Sequence, residues 1–290
     1  MQIEKVSLYI PCYNAEKYIG ECLEGVLKQT YPIDEILIID DGSNDTTVSI
    51  VSKYPVRVIH HTKNMGLAAS RNTAFKEAKN EFVAALDADC VPRPDWLENL
   101  MKNFIDDTIA GAGGMLVEKY IVNSADKWRE VHMSQHWGNN IIEDPPFLNG
   151  CNTIFKKAAI EAIGLYNTFY RNNYEDVDIS NRLSKVEYRL IYNPDAIVEH
   201  LRKDTIKSAL KMFWHWNLYS HIKPNNNTPI RTIVAHVGKM VCYIELVMKA
   251  FQKDILLKNY YLLCIDLFLL FYYPWLELNW LIMYIRTEIK

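Results

Sequence analysis

An α/β chain is predicted, with a doubly wound, mostly parallel, Rossmann-like sheet over about the first 200 residues and a helical extension after it. Three observations predict it. Short apolar runs alternate with amphipathic helical segments in a βαβαβαβ order, Gly- and Asp-rich turns separate them, and the character of the chain changes near residue 200.

The first run, VSLYIPCYN (Val6 to Asn14), is a strand stopped by Pro11. In the segment after it Ile19, Cys22, Leu23, Val26 and Leu27 recur at helical spacing, with Asn14 as the expected N-cap. EILIIDDGSNDTT supplies a second strand (Ile36 to Ile39) that runs into Asp40, Asp41, Gly42 and Ser43, and a helix follows Thr46. VRVIH is a third strand, and KNMGLAASRNTAFKEAKN turns at Gly66 into a third helix. FVAALDADC (Phe82 to Cys90) reads as a buried strand ending in Asp87-Ala88-Asp89. Alternation along an extended backbone would point both carboxylates the same way. A hard divalent cation such as Mg²⁺ or Mn²⁺ takes oxygen ligands and shares its shell with phosphates, so the pair suits a metal-diphosphate. Parallel sheets bind ligands at the carboxyl ends of their strands, where Tyr13, Asp40, Asp41, Asn64, Arg71, Asp87 and Asp89 all fall.

Further on, PRPDWLENLMKNF is a helix opened by Pro94, and IAGAGGMLV (109 to 117) a strand whose glycines imply close backbone approach. Asn123 to Asn140 is an insertion carrying Trp128, His132, His136 and Trp137. The i, i+4 histidines would share a helix face, but no acidic third ligand lies nearby in sequence, and a packing or lid role is the commoner outcome. NNYEDVDISNRLSK places Glu175, Asp176 and Asp178 at the start of a helix, where acids either complement the N-terminus or serve as a base. YNPDAIVEH ends a β-like run at His200.

Taken in order, IPCYN, IIDDGSNDTT, NMGLAASRNTA, LDADCVPRPDWL, LNGCNTIFKK, YEDVDISNRL and YNPDAIVEH resemble the motifs of family 2 glycosyltransferases with the GT-A fold, over about residues 5 to 200. The resemblance implies an inverting, metal-dependent hexosyltransferase-like enzyme, with a catalytic domain over 1–200: a nucleotide-sugar half of about 1–117 and an acceptor half of about 118–200. It also implies a nucleoside-diphosphate sugar donor, UDP-sugar favoured, and a glycan or lipid-linked acceptor in cell-surface glycan, glycolipid or glycoprotein glycan synthesis. Pro11, Tyr13, Asp40, Asp41, Asn64, Arg71, Asp87 and Ala88 are the expected donor contacts. An acid in the DDGS turn can accept from a uracil N–H or ribose hydroxyls, or it can simply cap the following helix. Asp87, Asp89 and His200 are the expected ligands of Mn²⁺ or Mg²⁺. Asp176 is the expected base and Glu175 its acceptor-side neighbour, with Gly150, Asn152 and Trp214 on the acceptor side. No Q-x-x-R-W element of processive relatives follows, which implies single additions.

Two other function classes fit less well. A nucleotidyltransferase would want a Gly-rich basic loop after the first strand, which IPCYNAEKY is not, and a non-catalytic scaffold would not need Asp87, Asp89, Asp176 and His200 together.

Six cysteines with no C-x-x-C pair read as reduced thiols, and the N-terminus shows no basic n-region before a long apolar stretch; both lead to an expected cytoplasmic location, at the inner face of the membrane. The net charge of −3 hides a contrast, because residues 201–258 hold ten Lys or Arg against three acids. This extension (201–290) combines KMFWHWNLYSHIK, a polar linker PNNNTP and an aromatic, Leu-rich end interrupted by Asp266, Pro274 and Glu277. Its charge-free runs fall short of the ~18 apolar residues of a spanning helix, so interfacial helices on an anionic membrane are one expectation. A dimer interface or a cap on the catalytic domain is the other. No nucleic-acid-binding fold is recognisable.

Overall fold

The computed structural model describes residues 4–218 and 229–288. They divide into two compact units, one of Met1–Lys119 with Gln135–Arg202 and one of Tyr120–Ser134 with Lys203–Lys290. The division after Arg202 lies close to the expected boundary, but residues 120–134 belong with the C-terminal unit rather than with an acceptor half.

The first unit is built on a mixed sheet. Strands β1 (Val6–Cys12), β2 (Glu35–Asp40), β3 (Arg57–His60) and β4 (Phe82–Leu86) form its parallel half, in the order β3-β2-β1-β4. Helices α1 (Ile19–Val26), α2 (Thr47–Val51) and α3 (Leu67–Glu77) connect them. The alternation along each strand is the reason both faces are covered. Leu8, Ile10, Ile36, Ile38, Ala84 and Leu86 enter one apolar layer with residues of α1. Tyr9, Leu37, Ile39, Val83 and Ala85 enter the opposite layer with Ala74 and Phe75 of α3. Each fully buried Leu, Ile or Val contributes roughly 1.5–3 kcal/mol.

Beyond β4 the direction reverses. β8 (Asn152–Lys156) pairs antiparallel with β4 and with β6 (Ile109–Glu118), and β6 runs parallel to β9 (Arg189–His200). β9 also pairs with the short β5 (Cys90–Pro92) and β7 (Ile142–Glu143). The glycines of β6 are needed there, since a Cβ on Gly114 would lie 1.9 Å from the Ala196 carbonyl oxygen. Helices α4 (Trp96–Met101), α6 (Lys157–Ala162) and α7 (Glu175–Ser184) complete the unit.

Two local expectations are corrected. Asn14 does not cap α1: its φ is +51°, α1 starts five residues later, and the Asn14 side chain instead accepts from Asn44 N–H. Asp87 and Asp89 are not on a continuous strand, because β4 ends at Leu86 and a turn, closed by Cys90 N–H to the Asp87 carbonyl, leads into β5.

The second unit is helical. α5 (Ser124–His132) is capped by Asn123, whose side chain accepts from the amides of Ala125 and Asp126. With α8 (Ile206–Leu218), α9 (Pro229–Leu256), a 3₁₀ turn (Tyr260–Leu262) and α10 (Leu263–Glu288) it encloses Trp128, Phe213, Trp214, Leu269 and Tyr273. Buried Arg129 pairs with Asp204, which also receives the Asn123 side chain at its carbonyl. The expected linker 224–229 lies outside the described residues except for Pro229. α10 runs through Pro274 without a break. Among the described residues one helical stretch, Tyr260–Arg286, is long and apolar enough to cross a membrane, with mean hydropathy 1.4 and 39% of that window buried within the protein.

Candidate active site

The carboxyl ends of β1, β2 and β4 open onto a cavity of about 630 Å³. Pro11, Tyr13, Asp41, Asn64, Asp87, Ala88 and Asp89 line it, seven of the residues singled out in the sequence. Tyr13 is half exposed at its edge. Ala15, Tyr18, Ser70 and Asn172 line it too and carried no recognisable signal beyond their nearness to motifs.

The two acids of the DDGS turn organise the cavity wall. Asp41 accepts at Oδ1 from the Met65 amide (2.8 Å) and faces His61 Nδ1 (2.7 Å), and its Oδ2 accepts from the Gly66 amide (2.8 Å). Asp40 accepts from the Ser43 amide (3.1 Å) and faces His60, and it does not line the cavity. Gly66 is required where it stands, since its φ is +97° and a Cβ would lie 2.2 Å from the Arg171 side chain. Arg171 in turn donates to the Asn64 carbonyl and side chain.

Arg71 is placed differently from its expected role at the donor. It is fully buried on α3 and donates to the Tyr9 hydroxyl (3.1 Å), the Gly150 carbonyl (2.9 Å), Asp87 Oδ1 (3.3 Å) and Glu175 Oε1 (3.3 Å). Burial works against its charge, but Tyr9, Asp87 and Glu175 outweigh this and hold it firmly protonated. One guanidinium therefore ties the acidic turn after β4 to the start of α7. Gly150 permits the approach, because a Cβ there would lie 2.7 Å from an Arg71 nitrogen.

At α7 the two acids separate by environment. Asp176 is half-buried, accepts from the Gly150 amide at Oδ2 (3.1 Å) and from the Val177 amide at Oδ1 (2.8 Å), and burial raises its pKa. Glu175 is 3% exposed and directed at Arg71, with its second oxygen unpaired. Burial and the charge of Asp176 push its pKa up to about 8 against the pull of Arg71. Its expected acceptor contact is thus replaced by an interior one. The preceding Tyr174 has φ +74°, a left-handed conformation that is uncommon for a bulky residue.

His200 lies where strands β5, β6 and β9 meet, in register with Cys90 and Glu118. Its Nε2 is 3.3 Å from Asp89 Oδ2 and its Nδ1 is 3.1 Å from Glu118 Oε2. Burial opposes a charged ring, yet the two carboxylates dominate and push its pKa to about 10. The same contact pulls Asp89 below its ordinary value in spite of burial, whereas burial raises Asp87. Glu118 went unnoticed in the sequence because its link to His200 depends on the β6/β9 register.

Three other expectations are corrected. Asn152 is fully buried and spends its amide on the Met115 and Ala196 carbonyls and the Trp96 indole, so it is a structural tie rather than an acceptor contact. Trp214 is a core residue of the second unit, with its indole N–H donated to Glu277. His132 and His136 do not share a helix face, since α5 ends at His132, and His136 accepts from the Gly138 amide.

Comparison with known proteins gives the same picture. The model of "Glycosyl transferase family 2" matches residues 7–164, more than half of the chain. The poly-β-1,6-N-acetyl-D-glucosamine synthase of Staphylococcus epidermidis is 29% identical over 236 residues, 76% of this chain and 55% of that protein. The pre-mycofactocin glycosyltransferase of Mycobacterium tuberculosis is 30% identical over 195 residues, 62% of this chain and 40% of that protein. The chain spans about half the length of the first of these relatives and less of the second. A mannosyltransferase of Pyrobaculum calidifontis in complex with GDP-Man and Mn²⁺ superposes with a TM-score of 0.59 at 22% identity, covering 93% of this chain and 74% of that one. S. aureus TarS 1-349 in complex with UDP-GlcNAc gives 0.53 at 21% identity, covering 76% and 68%. The fold is therefore GT-A, and the chain belongs to glycosyl transferase family 2.

Proposed function

We propose that the chain is an inverting glycosyltransferase that moves a sugar from a nucleoside diphosphate sugar, with a UDP-sugar favoured, to an acceptor hydroxyl during synthesis of a surface glycan, glycolipid or glycoprotein glycan. The observation that carries this reading is the double reach of Arg71. Asp87, which would hold the metal on the donor's diphosphate, and the helix that bears the candidate base lie within one side chain's span, each with a carboxylate 3.3 Å from Arg71.

Asp87, Asp89 and His200 are the ligands this reading assigns to a divalent cation. Both acids line the cavity with about a third of each side chain exposed, and His200 Nε2 already meets Asp89. Mn²⁺ or Mg²⁺ held there would neutralise the charge of the departing diphosphate. Glu118 holds the other ring nitrogen of His200 and so fixes the ring's orientation. Pro11, Tyr13, Asp41 and Asn64 form the wall for the nucleoside, where a flat face and fixed backbone turns suit a base and ribose.

Asp176 accepts the acceptor hydroxyl's proton while that oxygen attacks the anomeric carbon from the face opposite the diphosphate. The bond to the diphosphate breaks with its electron pair, and the configuration inverts. Burial raises the proton affinity of Asp176, while the Gly150 and Val177 amides hold its carboxylate in place. Glu175 acts through Arg71 as a positioning residue.

Membrane association of residues 201–290 belongs to the same reading. Leu256, Tyr260, Tyr261, Phe271, Trp275 and Met283 are exposed on or beside α9 and α10, next to a basic stretch, a combination that favours the inner face of an anionic membrane. Asp266 and Glu277, both buried within this unit, favour an interfacial position over a span.

The test is a thermal-shift panel of nucleoside diphosphates with and without Mn²⁺ on the full chain and on Asp89→Ala. A ligand at 100 times its Kd adds about 2.7 kcal/mol. One nucleotide should stabilise the wild type in an Mn²⁺-dependent way, with the effect lost in Asp89→Ala. Equal stabilisation in chelator would remove the metal from the account, and no response to any nucleotide would remove the donor.

A further inference from the structure

The second unit contains a cluster that the transfer reaction does not use. His132 ends α5, Asp254 lies near the end of α9 and Asp266 stands in the first turn of α10. One ligand atom from each lies within 4.8 Å of the others. His132 Nε2 is 3.1 Å from Asp254 Oδ2, and the Trp128 indole N–H fixes Asp266 Oδ1 at 2.8 Å. Both aspartates are fully buried. One oxygen on each, Asp254 Oδ1 and Asp266 Oδ2, has no hydrogen-bond partner.

Two carboxylates in a dry interior repel one another, and each orphaned oxygen forfeits its hydration. Helical packing alone gives no reason to gather them from three separate segments. The basic neighbour Lys253 turns its ammonium to the Val131 carbonyl. A divalent ion would supply two charges against two carboxylates and give both free oxygens a partner. One imidazole with two carboxylates is a nitrogen and oxygen donor set of the kind that first-row transition metals take.

We propose that His132, Asp254 and Asp266 form a structural binding site for a divalent first-row transition metal, separate from the donor site, that pins α5 to the α9–α10 hairpin. Asp254 Oδ1, Asp266 Oδ2 and His132 Nε2 are the ligand atoms, and the Trp128 indole sets the orientation of Asp266. Binding frees His132 from its contact with Asp254 and removes any proton held between the carboxyls, so affinity rises with pH.

The experiment is equilibrium dialysis of the full chain against micromolar Zn²⁺ and, separately, Mn²⁺, with metal content measured by mass spectrometry and Tm by calorimetry. Asp89→Ala removes the donor-site contribution and leaves this cluster intact. About one equivalent of metal per chain should stay with Asp89→Ala and raise its Tm. Adding His132→Gln or Asp254→Asn should abolish that equivalent, and Co²⁺ should give visible absorption in the parent but not in either double variant. The Zn²⁺ and Mn²⁺ arms identify which ion the site prefers. Metal-free Asp89→Ala protein after dialysis against both ions, or metal that persists in both double variants, would overturn the proposal.

Discussion

Replacing Arg71 with methionine keeps most of the apolar stem and removes the charge that joins the acidic turn to α7. Two of its hydrogen bonds go to the buried Tyr9 hydroxyl and Gly150 carbonyl, each worth ~1 kcal/mol. The pair with Asp87, whose side chain is 32% exposed, contributes no more than ~1 kcal/mol after solvent screening. The bond to Glu175 adds little at pH 7, because that carboxyl, at about 8, is then mostly protonated. The expected loss is therefore ~3 kcal/mol, or about 6–12 °C in Tm for a unit of this size. The pH dependence carries the sharper signature. A carboxyl raised by folding contributes stability that is full below its unfolded value, 4.5, and is lost as pH rises through about 8. Without Arg71 the Glu175 pKa climbs further, so the variant keeps losing stability after the wild type has levelled. The gap should widen above pH 8 by ~1.4 kcal/mol per pH unit until the variant's carboxyl ionises. Urea unfolding of both proteins at pH 6.5, 8 and 9, followed by tryptophan fluorescence, measures it. A cost under ~1 kcal/mol that is flat in pH would refute the clamp and return Arg71 to a donor contact.

Two further outcomes follow from the same geometry. His200, held near 10 by Asp89 and Glu118, must give up a proton to bind a metal. Mn²⁺ affinity measured by calorimetry should therefore rise by ~10-fold per pH unit between 7 and 9, with proton release in buffers of different ionisation heat, and pH-independent affinity would exclude His200 as a ligand. The metal-free protein should in turn draw stability from His200 below pH 6.5 and lose it as pH rises through about 10. For the C-terminal unit, the full chain should sediment with anionic liposomes and release as salt rises, since the basic stretch is screened beyond a Debye length of about 8 Å at physiological ionic strength. A truncation after Lys258 that stays folded and equally bound would place the contact elsewhere.

Much of the first unit was legible because continuous apolar runs such as Ile36 to Ile39 fill both faces of a covered sheet, and the turns after them carry the cavity lining. Asp87 and Asp89 were found for a partly wrong reason: the turn after Leu86 brings them together, not alternation along a strand. The roles of Arg71, Glu175 and Asn152 were not legible. Each depends on contacts distant in sequence, as far as 104 residues between Arg71 and Glu175 and 56 between Asn152 and Trp96, and a buried charge reads in sequence like an exposed one. Glu118 escaped for the same reason, because it meets His200 only through strand register. In the second unit the i, i+4 pattern drew attention to His136, whereas the partners of His132 lie more than 120 residues away on α9 and α10.

The central claim, inverting transfer with Asp176 as base, is tested most directly by single-turnover transfer with Asp176→Asn at saturating donor and Mn²⁺. The amide preserves size and can still accept from the Gly150 amide through its carbonyl oxygen, but it takes no proton at neutral pH. The account predicts unchanged donor affinity and a rate of sugar transfer lower by ~10²-fold or more. Wild-type turnover in Asp176→Asn would contradict it and leave the acids of α7 as complements to a helix N-terminus.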